Sequence, residues 1–178
     1  MELQYNITQQ DYIDFNLNYY VNNAVIQRGI LMTRIATAVI VVLGGTALMY
    51  WVKGLSVWSV LVYLILAAVC FFGTPWYMKR KVVKNTERIL RNARNKQLCG
   101  PKTLTLREDS FELSGENEDT TYQYEAVQRT ASDDKHYYIF VDEFSAIIVP
   151  FSAFSDETQK QEFYDRITVN IKDEALKC

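Results

Sequence analysis

The chain has 178 residues, 49% of them hydrophobic and 13% aromatic, with a net charge of −2. That length holds one membrane hairpin plus one small soluble domain. Its three cysteines, Cys70, Cys99 and Cys178, share no short spacing, which excludes a disulfide framework and fits a reducing compartment. The net charge hides an asymmetry. Residues 1–52 carry two basic and three acidic side chains, residues 53–101 nine and one, and residues 102–178 eight and seventeen. A cationic collar therefore precedes an acidic domain.

In chain order, residues 1–34 open with Glu2–Ile7, which places Leu3, Tyr5 and Ile7 on one side and predicts a strand. Such a strand is not stable alone. The only other sheet signals are C-terminal, so the two ends of the chain are expected to pair. Thr8–Asp11 resembles a helix-start box, and the helix from Gln9 is expected to run on into the first apolar stretch. Asp11, Asp14, Asn18 and Asn22 form a polar stripe, with Tyr12, Phe15, Tyr19, Val25 and Ile26 away from it.

Residues 35–78 are the dominant feature. Ile35–Val52 is eighteen residues without a charge and Gly54–Met78 is twenty-five, with only Lys53 between them. Each run is long enough to cross a hydrocarbon core of about 30 Å as a helix. The reading is a transmembrane hairpin, with spans at 35–52 and 54–78. The first run begins too far along the chain for a signal peptide. No ionisable residue lies within either run, which fits a plain anchor rather than an ion path. Gly44 and Gly45 allow close helix approach, and Pro75 kinks or ends the second span.

Orientation follows from flanking charge. Lys79, Arg80, Lys81, Lys84, Arg88, Arg91, Arg94 and Lys96 follow the second run, opposed by Glu87 alone, and Arg28 and Arg34 precede the first. Both termini are expected in the cytoplasm of a multi-pass plasma-membrane protein. Tyr50, Trp51, Trp58, Trp76 and Tyr77, with Lys79, Arg80 and Lys81, are the expected interface anchors. Residues 79–101 read as a basic juxtamembrane helix. The expected role is a stop signal continued as a solvated helix; the alternative is a segment that reads anionic lipid. Without interleaved aromatics it is not a nucleic-acid platform.

Residues 102–178 read as a small acidic domain. Leu98–Pro101 breaks the incoming helix. Strands are predicted at Thr103–Arg107, Ser110–Ser114, Thr120–Thr130 (bent near Glu125), His136–Val141 and Ser145–Val149. Polar turns fall at Gly115–Asp119, Ser132–Lys135 and Asp142–Glu143. The two apolar strands are expected to be central. A helix capped by Ser155 or Asp156 should run to about residue 171 and bury Phe163, Tyr164, Ile167 and Ile171. The fold class is α+β: a transmembrane hairpin plus an antiparallel, pleckstrin-homology-like β domain closed by a C-terminal helix.

Four segments carry a family resemblance: Asp11–Phe15, the hairpin, Tyr122–Val127 and Ile147–Phe154. The chain resembles the YcxB-like family of bacterial membrane proteins, although the tryptophan usual near Tyr124 is absent. The resemblance implies a two-span anchor with a pleckstrin-homology-like cytoplasmic domain. It implies no known activity and no functional residues.

No phosphate-binding, dinucleotide, zinc-protease or serine-hydrolase motif occurs. No catalytic residue, cofactor or metal is therefore expected. His136, the single histidine, reads as structural, and Cys99 has no neighbouring base. The carboxylates at Asp133–Asp134, Asp142–Glu143 and Glu116–Asp119 match no calcium loop and read as solvated turn charge. Pro150, Phe151 and Phe154 are candidates for partner contact. The expected function is a non-enzymatic, membrane-anchored protein-binding or regulatory module with an unidentified protein partner, compatible with homo-oligomers. The alternative is an immunity or antagonist protein that protects the membrane against a toxin.

Overall fold

The computed structural model describes residues 1–178 except 55, 93, 94, 96, 97, 117, 118, 144 and 176–178, and only the backbone of 53, 170 and 172–175. The chain divides into two compact units. One comprises residues 1–15 and 86–178, the other residues 16–85.

The first unit is built from both ends of the chain. Strand β1 (Glu2–Ile7) pairs antiparallel with β2 (Gly100–Leu106), Leu3 opposite Leu104. Strands β3 (Ser110–Gly115) and β4 (Asp119–Gln123) continue the ladder to a four-stranded sheet in the order β1-β2-β3-β4. Alternation sends Leu3, Ile7, Leu104, Leu106 and Phe111 inward, where all are buried. Gly100 and Pro101 lie beyond the end of the incoming helix, as expected, and also open a strand. They are the first residues of β2, because β3 pairs only from Lys102 onward and so asks no amide of Pro101. Gly100 has φ +122°, a left-handed value that glycine tolerates.

The long bent strand expected at Thr120–Thr130 is two strands. A 3₁₀ turn at Tyr124–Ala126 separates β4 from β5 (Arg129–Ser132). Burial holds this corner: Tyr124 is buried on Phe111 with ring centroids 5.4 Å apart, and its hydroxyl donates to the Arg107 carbonyl at 3.2 Å. Strands β5, β6 (His136–Phe140) and β7 (Ala146–Pro150) form a second antiparallel sheet in that order. Strand β6 is central and buried throughout. Strand β7 lies at the sheet's edge rather than within it, and it contacts β1.

The last helix, α4 (Glu157–Ala175), extends beyond the expected end. Asp156 caps it by accepting from Gln159 N at 2.7 Å, while the Gln159 side chain reaches back to Ser155 N at 2.7 Å. Phe163 and Ile167 are buried and Ile171 packs against the core. Tyr164 is 45% exposed, contrary to expectation, because it lies one position off the 163–167–171 stripe.

Helix α1 (Gln9–Asn22) starts at the predicted box: Thr8 N and Oγ1 both donate to Asp11 Oδ2 at 2.7 Å. It does not run on into the apolar stretch. Asn23 interrupts it in an extended conformation (φ −78°, ψ 111°) and caps α2 (Ala24–Lys53), accepting from Val25 N at 3.0 Å and Ile26 N at 3.1 Å. Asparagine competes with helical backbone bonding in this way, so the Asn22–Asn23 pair was the missed boundary signal.

The second unit is dominated by α2 and α3 (Val57–Leu90), two helices long and apolar enough to cross a membrane. Gly54, at φ +81°, closes α2. Ser56 and Ser59 bond reciprocally at the start of α3. The Tyr63 ring lies directly on the Gly45 backbone, leaving no room for a Cβ there, whereas Gly44 faces open space. Pro75 does not end α3, which continues fifteen residues to Leu90. Proline removes the amide that would bond the carbonyl four residues earlier, that of Phe71. Arg34 of α2 fills the gap: its Nε donates to the Phe71 carbonyl at 2.8 Å, and its guanidinium carbon lies 4.0 Å from the centre of the Phe71 ring.

Candidate functional site

Alternation along β6 creates two different environments from five consecutive residues. Tyr137 and Ile139 point into the core between the sheets. His136, Tyr138 and Phe140 point the other way, where Phe15 of α1 packs on Tyr138 and Phe140 at 5.4 and 5.9 Å between centroids.

On the α1 side lies a buried polar cluster. His136 is 2% exposed. Its Nε2 is 2.8 Å from Asp11 Oδ1, and its Nδ1 is 3.2 Å from Asp133 Oδ1. The Tyr138 hydroxyl donates its one proton to Asp133 Oδ2 at 2.5 Å, so it cannot also serve Nδ1. Both ring nitrogens thus lie within hydrogen-bond distance of carboxylate oxygens. Asp133 also accepts from Lys135 N at 2.8 Å and His136 N at 2.7 Å. Burial pushes the Asp11 carboxyl up, but bonds from His136 and Thr8 outweigh it and hold it below its usual range. Asp133 is likewise held low: bonds from Tyr138 and two backbone amides overcome burial. Burial pushes the Tyr138 phenol far up, so it stays a neutral donor. Lys135 adds a looser pair to Asp14 at 3.7 Å.

On the core side, β6 meets α4 at a cleft of about 360 Å³ lined by Ser132, Asp133, Tyr137, Phe151, Phe154, Glu157, Lys160, Gln161, Phe163 and Tyr164. Phe154 packs on Phe163 at 5.3 Å, and Tyr137 meets Phe163 and Tyr164 edge-on at 5.6 and 5.4 Å. The Lys160 ammonium lies 4.1 Å over the Phe151 ring and pairs with Glu157 at 2.9 Å. The cleft has the size of a ligand site, and its lining is half aromatic and half polar or charged. Asp133 belongs to both the cleft and the His136 cluster.

The sequence candidates distribute as follows. Phe151 and Phe154 line the cleft half-buried, in and just after a 3₁₀ turn at Phe151–Ala153. Pro150 is buried at the end of β7, opposite His136. Tyr50, Trp51, Trp58, Trp76 and Tyr77 are all exposed on α2 and α3. Lys79, Arg80 and Lys81 are exposed as well, and the Arg80 guanidinium stacks on Trp76 at 3.8 Å. Arg94, Lys96, Cys178 and the turn residues 117 and 118 lie outside the described residues. Burial, then Asp11, push the Cys99 thiol up, so thiolate is scarce there.

One reading needs correction. Asp133 is not solvated turn charge but a capping residue and a His136 partner. Asp11 belongs to the polar stripe of α1, but its side chain is only 16% exposed because it turns to His136. Sequence reasoning missed the pairing because 125 residues separate Asp11 from His136. The local signal was Asp133 three residues before the only histidine, the spacing of a side-chain-capped turn. Tyr137 and Lys160 were missed too, because a cleft between a strand and a distant helix leaves no periodic trace.

The family model described as YcxB-like protein matches residues 106–165, which supports the family resemblance drawn from the sequence. That segment spans β3 to the first half of α4, and so contains His136, Asp133 and the whole cleft. Comparisons with curated proteins and with solved structures found no match.

Proposed function

We propose that the chain is a non-enzymatic, membrane-anchored binding module. In this reading α2 and α3 cross the plasma membrane as a hairpin, both termini are cytoplasmic, and the first unit is a pleckstrin-homology-like domain that holds a partner protein. One observation carries it: β1 and β2 are neighbours in one sheet, yet both apolar helices lie between them in sequence. Two crossings return the chain to the side it left, as that pairing requires. Almost none of either helix's most apolar stretch is buried, unlike the core helix of a soluble protein. The exposed Lys79, Arg80 and Lys81 favour the cytoplasmic side. Four strands, three strands and a closing helix is also the order of the pleckstrin-homology plan.

The aromatic cleft is the partner site in this reading. Asp133 and Glu157 at its rim, in a domain rich in acid, favour a segment with an apolar anchor and basic flanks. Orientation is tested with single cysteines at Glu2 and Ser155 in a background lacking the native three. Both should resist a membrane-impermeant reagent in intact cells, and labelling of either overturns the topology. Binding is tested with a photocrosslinking side chain at Tyr164 in native membranes. A discrete protein adduct is expected, and Phe154→Glu should abolish it. An adduct unchanged by Phe154→Glu, or none, removes the cleft from the proposal.

A further inference from the structure

We infer that the helical hairpin binds one anionic phospholipid, with its phosphate on Arg34 and an acyl chain in the adjoining groove between α2 and α3. The inference rests on the membrane reading above. It begins with a charge that has no acidic partner among the described residues. Residues 16–85 contain no aspartate or glutamate. Arg34 is partly buried; among the described residues its guanidinium meets the Phe71 carbonyl oxygen and ring, and its charge also reaches the Tyr20 phenol. None of these neutralises it, and a partly desolvated guanidinium in an apolar setting calls for an anion.

The geometry prepares the side chain for one. Pro75 leaves the Phe71 carbonyl without its helical donor, and Arg34 Nε takes that place at 2.8 Å. The ring of Phe71 supports the guanidinium plane from one side. One of the five guanidinium N–H donors is thereby used to fix orientation, and the terminal four remain for a forked acceptor such as a phosphodiester.

The groove supplies the rest. A cavity of about 470 Å³, bounded by Ala38, Val42, Leu64, Ala67, Phe71 and Phe72 among others, has an almost wholly apolar lining. Ala38 lies one helical turn after Arg34 on the same face, and Phe71 both lines the groove and carries the guanidinium. The charge therefore stands at the groove's end, beside an apolar channel. In a bilayer, a headgroup phosphate with a hydrocarbon chain behind it meets both demands. A second copy of the hairpin would fill the groove but would bring no carboxylate to Arg34, since its own residues 16–85 lack one too.

The test uses the purified full chain in detergent, titrated with phosphatidylglycerol or phosphatidylcholine and read by native mass spectrometry. The monomer should retain one phosphatidylglycerol, favoured about tenfold over phosphatidylcholine, the scale of one charge-assisted contact. Arg34→Gln should erase that preference. Lys81→Gln, which removes the same charge from the collar, should leave it within about twofold. Ala68→Phe, at an exposed groove position, should weaken retention with Arg34 intact. A phosphatidylglycerol preference retained in Arg34→Gln overturns the inference, as does equal loss in Lys81→Gln, unchanged retention in Ala68→Phe, or a lipid-free dimer. Carbonate extraction of native membranes separates the two levels. Release of the protein defeats the membrane reading itself, whereas an integral protein without the lipid preference defeats only this inference.

Discussion

The two units treat a basic side chain removed from water in opposite ways. In the β unit, His136 is enclosed by Asp11 and Asp133, drawn from opposite ends of the chain. In the helical unit, Arg34 meets a backbone oxygen and a phenyl ring and, among the described residues, no acid. The first arrangement closes its electrostatics within the fold. The second leaves them open to the surroundings. Where a domain is bathed in water, a buried ion group must be matched internally or it destabilises the fold. Where lipid is the solvent, anionic headgroups near the chain can complete the match.

The most damaging way to break the contrast is His136→Ala. It leaves Asp11 Oδ1 and Asp133 Oδ1, both partly buried, without their ring-nitrogen partners, and the expected loss is about 1–3 kcal/mol for each orphaned acceptor. Denaturant unfolding of the full chain in detergent, followed by hydrogen exchange at the β5–β7 amides, should show that sheet losing protection first. A change under about 1 kcal/mol would mean that the His136 bonds do not hold the cluster together.

A smaller effect is expected in the helical unit from Gly45→Ala. The new methyl meets the Tyr63 ring, and overpacking of this kind costs about 1–3 kcal/mol. Gly44→Ala, one residue away and facing open space, should be neutral or slightly stabilising. Thermal midpoints in one detergent decide the matter, and equal midpoints for the two variants would show that the helices are not in contact at Gly45.

The smallest effect sharpens the comparison through pH. Asp11 and Asp133 are both held below the ordinary value of 3.8. At intermediate acidity the unfolded chain binds more protons than the folded one, so stability rises with pH there. Their contribution is fully present above that ordinary value and is lost as pH falls through the lower folded values. Asp11→Asn should therefore lower the neutral plateau of the stability curve and flatten its acid limb, with the least change at the lowest pH. An acid limb identical to the parent's would remove Asp11 from the linkage.

How much of this was legible depends on the range of each interaction. Strand β1, the cap at Thr8, strand β3 and the start of α4 were readable because a few adjacent residues determine them. The corner at Tyr124 was not, since a bend and a strand break leave the same local pattern until Phe111 supplies the packing. The extension of α1 failed because the caps at Asn22–Asn23 were outvoted by an apolar run that continues on either side. Of the candidate sites, Phe151 and Phe154 were visible as aromatics after a proline. Their cleft was not, because its opposite wall comes from β6 and α4. Arg34 was seen only as a topology signal. Its carbonyl partner could have been deduced from Pro75 alone, by counting back four residues.

The pairing of β1 with β2 also sets a timetable for synthesis. Glu2 must wait for Thr105, its opposite residue, to be made. At about 5–20 residues per second, that delay is on the order of 5–20 s. For that interval the first strand hangs unpaired while both apolar helices emerge and are disposed of. The sheet can close only after the second helix has finished, so completion of the folded domain reports that the hairpin has been made. A chain stalled partway through its helices would carry a bare strand edge, the feature that chaperones and proteases act upon.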